Sequence, residues 1–101
     1  MLDRLTADDF GAHQGTDFMV DAAPDGPIRL RLTAVTRFAR QPHAPRPEPF
    51  SLEFSGPDTP VLPQAIYPLE HPGLGRLELF LVPLGPDRNG GAGMLYEAVF
   101  N

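Results

Sequence analysis

No cysteine occurs anywhere in the 101 residues, so disulfide bridges and thiolate metal sites are both excluded. Small secreted domains often need such staples, and their absence points to a reducing compartment. Lysine is missing too. All 8 cationic side chains are arginine, against 13 acids, for a formal charge of −5 and a pI near 4.9. So acidic a chain is poorly matched to nucleic acid, which rewards clustered cations. No apolar run approaches the ~18 residues of a membrane span. The longest, Leu79 to Leu84, suffices only for a strand. The opening Met1-Leu2-Asp3-Arg4 places charges where the apolar core of a signal peptide would begin. The expectation is a cytoplasmic protein with neither nucleic acid nor membrane as partner.

Proline and glycine, by contrast, are plentiful, at 13 and 10 residues. They fall between well-patterned apolar segments and read as punctuation of a single domain over 1–101. The first element is expected to be a short helix over residues 6–14. Thr6 is a suitable N-cap, and Asp9 completes a variant capping box. Asp8 and Asp9 suit the positive end of the helix dipole, Gly15 is the stop, and Leu2, Leu5 and Phe10 would anchor the segment.

The remainder alternates with period two, the repeat of a half-buried strand. A short run covers Thr16 to Val20, and Pro24-Asp25-Gly26 is a turn signal. The cleanest alternation then puts Ile28, Leu30, Leu32, Ala34 and Phe38 on one face and Arg29, Arg31, Thr33, Val35 and Arg37 on the other. The stretch Gln41 to Pro49 holds four prolines and reads as an extended connection. Phe50, Leu52 and Phe54 form one face of the next strand. Leu62 to Leu69 is a strand that Pro63 and Pro68 place at an edge or bend. Arg76 to Leu84 is apolar on both faces, Gly85 to Gly93 is a hairpin loop, and Met94 to Phe100 is the last strand. The fold class is therefore mainly β, a small antiparallel barrel or sandwich of about six strands with one short N-terminal helix.

Little of the chemistry rises above background. His13, His43 and His71 lie 28 or more residues apart in sequence, with no helical ligand spacing. His71-Pro72-Gly73 reads as a turn. Gly73-Leu74-Gly75 lacks the third glycine of a dinucleotide loop, since Glu78 stands there, and a strand follows where a helix is needed. Ser51 and Ser55 sit on a strand without a nucleophile elbow. No catalytic residue, cofactor or metal is expected. Two surface features remain. Arg29, Arg31 and Arg37 form a row that is either an anion- or partner-binding surface or is neutralised by carboxylates such as Glu53 and Glu78. Phe80, Val82 and Leu84 form a second apolar face on one strand. It requires cover from the N-terminal helix, the proline connection or another chain, which makes it the candidate interface.

The segments Phe50 to Pro57, Leu62 to Pro72, Leu79 to Pro86 and Tyr96 to Asn101 together resemble an uncharacterised bacterial family of all-β proteins of about this length, a domain of unknown function. The resemblance spans essentially the whole chain and carries over no catalytic residue. It implies a bacterial source and a place near phage-tail-like proteins. The functional expectation is a non-enzymatic binding or structural module, a component of a larger assembly, whose partner is a protein or a second copy of itself. The alternative is a small barrel that binds or converts a small molecule in its interior. A packed interior would speak against the alternative.

Overall fold

The computed structural model describes residues 5–21, 26–40, 43, 48–87 and 93–100. Helix α1 spans Ala7–Gly11. Strands β1 (Asp17–Asp21), β2 (Pro27–Arg37), β3 (Phe50–Pro57), β4 (Ala65–His71), β5 (Gly75–Pro86) and β6 (Gly93–Phe100) follow in order. The strands close into an antiparallel barrel in the order β1-β2-β3-β6-β5-β4. Of the two architectures compatible with the alternation, the chain adopts the closed one. Closure leaves no edge. The terminal strand β6 is paired on both sides, with β3 and β5, and β4 lies between β5 and β1. The prolines of β4 are accommodated differently from the expected edge position. Pro63 precedes the strand, and the ladder with β1 contains only Met19 opposite Glu70 and Val20 opposite Leu69. It stops beside Pro68, which has no N–H to donate.

One face of every strand turns inward. Phe18, Val20, Ile28, Leu30, Leu32, Phe50, Leu52, Phe54, Leu69, Leu77, Leu79, Leu81, Tyr96, Ala98 and Phe100 fill the barrel as one buried cluster. Phe50 and Phe100, which face each other across β3 and β6, stack with ring centroids 4.6 Å apart. The buried Tyr96 hydroxyl accepts the Leu62 N–H at 2.8 Å, which ties the segment before β4 to the core.

The helix is shorter than the 6–14 expected. Its capping box is present: the Asp9 N–H donates to the Thr6 hydroxyl, and the Asp9 carboxylate accepts the Thr6 N–H at 2.8 Å. Beyond Gly11 the chain tightens into turns, with the His13 N–H bonded to the Phe10 carbonyl and the Gln14 N–H to the Gly11 carbonyl. Gly15, at φ 88°, then redirects it into β1. The helix plugs one end of the barrel. Phe10 is fully buried against Phe18, Phe50 and Phe100, with ring centroids 6.5, 5.8 and 5.4 Å away. It therefore does not supply the cover expected for the outer face of β5.

A second departure lies in β2. The register runs Leu32 opposite Phe54 and then Ala34 opposite Glu53, so Thr33 is an extra residue in a bulge. An added residue reverses the facing of all that follow. Ile28, Leu30 and Leu32 point inward as expected. After the bulge it is Val35, opposite Leu52, that packs on the core, and Ala34 stands opposite the outward Glu53. The single faces assigned across 28–38 are thus corrected, and Phe38 lies exposed beyond the strand. Of the other expected features, Leu2, Pro24-Asp25, most of the proline connection and residues 88–92 of the last loop lie outside the described residues.

Candidate functional site

Two places on the barrel gather side chains with chemical capacity. The first is the mouth where α1 meets the β4–β5 turn. His71 continues the inward series Tyr67, Leu69, His71 on β4 and is buried at 7% exposure, at the entry to the expected turn over residues 72–74. It meets His13, from the turn after α1, with ring centroids 4.5 Å apart, and Phe18 at 4.4 Å. The Gly73 N–H donates to His71 Nδ1 at 2.9 Å. That leaves the proton of the neutral ring on Nε2, which donates to the Thr16 hydroxyl at 2.9 Å, and Thr16 in turn donates to the His13 carbonyl. A side chain at residue 73 would collide with this arrangement, since a Cβ there would lie 2.6 Å from the His13 ring. Burial, then the neighbouring His13, lowers the pKa of His71 below its ordinary value.

Both ring nitrogens of His71 are engaged in hydrogen bonds, Nδ1 as acceptor and Nε2 as donor, so a proton or a metal at Nδ1 would have to displace the Gly73 N–H. Among the described residues no group of three or more His, Asp or Glu side chains is placed to hold an ion. His43, from the proline connection, is exposed. Outside the mouth lies an open cleft of about 430 Å³, lined by Met19, Glu70, His71, Pro72, Gly75 and Arg76. It adjoins a smaller one of about 220 Å³ that shares Met19, Glu70 and Arg76. Both lie over the short β1–β4 seam. The Glu70–Arg76 pair across them, at 4.0 Å, is exposed and weak.

The second place is the exterior. The three arginines do not form one row. Arg29 and Arg31 project outward together and share the Asp17 carboxylate at 3.5 and 3.4 Å. Arg37 lies beyond the bulge and bonds Asp8 at the start of α1. Each of these arginines does pair with a carboxylate, but Asp17 and Asp8 supply it rather than Glu53 and Glu78, and Asp17 serves two of them. Glu53 and Glu78, the carboxylates expected to answer the arginines, are left over. Glu97 lies directly opposite Glu53, and no cation of the described residues bonds Glu53, Glu78 or Glu97.

Phe80 and Leu84 stand on the outer face of β5 at 49% and 46% exposure, with Val82 half-buried between them. Ile66, opposite Phe80 on β4, is 66% exposed. Val82 pairs with Glu97 on β6, where that ladder ends, and Val99, two residues beyond Glu97, is 48% exposed. An apolar patch thus joins Ile66 on β4 to Phe80, Val82 and Leu84 on β5, with Val99 exposed on β6. Sequence reasoning found its β5 members by their alternation. It missed Ile66 and Val99, because only strand order brings them alongside. Ser51 is buried and Ser55 half-buried on β3, each flanked by apolar neighbours, and Gly73 and Gly75 belong to the His71 turn.

No curated protein and no solved structure matches the chain. One family model does, over residues 5–100, and it is described as a domain of unknown function, DUF6916.

Proposed function

Since the chain belongs to the DUF6916 family, which assigns no activity, we propose from its own geometry that it is a non-enzymatic binding module. It docks a protein through the outer face of β4, β5 and β6. The exposed pair Ile66–Phe80, extended along β5 by Val82 and Leu84 and accompanied by the exposed Val99 of β6, carries this reading. Large apolar side chains scattered singly on a surface need no explanation, but a contiguous set on adjacent strands has the character of an interaction site. Nothing among the described residues covers it, because α1 is spent on closing the barrel end. The setting we propose is a larger bacterial, phage-tail-like assembly, in line with the resemblance noted above.

The interior reading has no observation in its favour. Phe18, Leu30, Phe50, Leu52, Phe54, Leu79 and Phe100 occupy the barrel lumen as packed, buried side chains. The two clefts described above are external, over the β1–β4 seam.

A photoreactive amino acid placed at residue 80 in the host cell tests the docking face. A discrete covalent adduct is expected from position 80 and not from positions 29 or 31 across the barrel. Equal labelling from both sides, or none from 80, removes the proposal. Val82→Glu, read by size exclusion with light scattering, separates the occupants. A mass that drops from two chains to one identifies a second copy.

A further inference from the structure

Resting on that docking reading, we infer that the occupant of the β4–β5–β6 face is a basic protein surface: apolar anchors edged by arginine or lysine, and not a second copy of this chain. The inference comes from the carboxylates around the apolar patch. Glu78 precedes Phe80 by one outward position on β5. On the other side Val82 lies opposite Glu97, and Glu97 lies opposite Glu53. Phe80 is thus flanked by acids along its own strand and across the sheet. Like charges placed directly opposite on neighbouring strands destabilise a sheet. The Thr33 hydroxyl of the β2 bulge donates to the Glu53 carboxylate at 2.9 Å, which holds it in place without neutralising it. Among the described residues the neighbouring arginines are engaged elsewhere, Arg29 and Arg31 with Asp17, Arg37 with Asp8, and Arg76, on the same face of β5 as Glu78, with Glu70.

Among the described residues the patch is therefore edged by Glu53, Glu78 and Glu97, none of them ion-paired, and the one arginine on this face of β5, Arg76, is paired with Glu70 beyond Glu78. Complementary charge at a rim selects partners and speeds their encounter. A second copy meeting this face with its own would bring acid to acid. The arginine-bearing side of another copy offers two guanidinium groups that already share one carboxylate, in a chain with no lysine.

The test uses two fluorescein-labelled amphipathic helical peptides of equal length, one of leucine and arginine, the other of leucine and glutamate. Each is titrated with the 101-residue chain and followed by anisotropy. The leucine–arginine peptide is expected to bind, more weakly as salt rises. Its affinity should fall by about tenfold or more in Glu53→Gln/Glu97→Gln and in Phe80→Ser. It should hold in Asp21→Asn/Asp58→Asn, which removes the same charge away from the face. An equal loss in that control pair would reduce the effect to general acidity and overturn the inference. So would equal binding of both peptides, which leaves an apolar docking face without charge selection. If neither peptide binds, the basic-partner inference falls, and the position-80 adduct decides separately whether the docking face survives. A two-chain mass by light scattering that grows in Glu53→Gln/Glu97→Gln would assign the face to a second copy and also overturn it.

Discussion

The Nε2 of His71 and the hydroxyl of Thr16, 55 residues apart in sequence, are joined by a 2.9 Å hydrogen bond. The Gly73 N–H fixes the other nitrogen as an acceptor. The site therefore suits a neutral ring only. A proton on Nδ1 would face the Gly73 N–H, and the added charge would sit beside His13 in a buried setting. The remaining charged groups nearby, Glu70 and Arg76, are exposed and paired with each other.

Stability should consequently fall with acidification. The folded pKa of His71 is depressed, so below the ordinary histidine value of about 6.5 the unfolded chain takes up a proton that the folded chain resists. The contribution is fully present above that value. It is lost progressively as pH falls from there towards the folded pKa. Urea unfolding at about pH 7.5 and about pH 5 should show this loss. His71→Phe should be less stable at the higher pH and show a flatter dependence. An unchanged slope in that variant would assign the pH dependence to other groups.

Tyr96→Phe should cost about 1–3 kcal/mol, although it removes a single oxygen. The Leu62 N–H loses its acceptor in a buried position, and an unsatisfied buried donor carries a desolvation penalty. Hydrogen exchange at Leu62 should accelerate in step with the lower urea midpoint.

Phe10→Ala should be the most damaging change outside the strands, at about 3–5 kcal/mol. Its ring is the plug that Phe18, Phe50 and Phe100 pack against. Chemical denaturation measures the loss. A cost under about 1 kcal/mol would mean that the strands close the barrel end unaided.

Glu53→Gln/Glu97→Gln should raise stability by a few tenths of a kcal/mol at low salt, because the carboxylates lie directly opposite one another on β3 and β6. The gain should shrink as salt is added. Thermal unfolding in low and high salt checks both statements. A lower midpoint for the variant would mean that the carboxylate accepting from Thr33 outweighs the repulsion.

The sequence by itself determined the local elements. Alternating apolar residues at Ile28–Leu32, Phe50–Phe54 and Leu77–Leu81 require strands with one buried face, since side chains in a strand repeat every second residue. Thr6 and Asp9 likewise fixed the start of α1 through a cap whose partners are three residues apart. The inward place of His71 was also legible, in phase with Tyr67 and Leu69, but the His-Pro-Gly turn signal obscured it.

Tertiary structure alone decided whatever depends on which strands become neighbours. Period two cannot reveal an extra residue whose effect is set by the partner strand, so the bulge at Thr33 and the reversal of Val35 and Arg37 appeared only with β3 in place. Barrel closure brought His13 to His71, seated Ile66 beside Phe80, and set Glu97 against Glu53. Each of these relationships joins residues far apart in the chain. Their proximity comes from strand order and register, which the burial of the whole core fixes at once, and no local pattern encodes it.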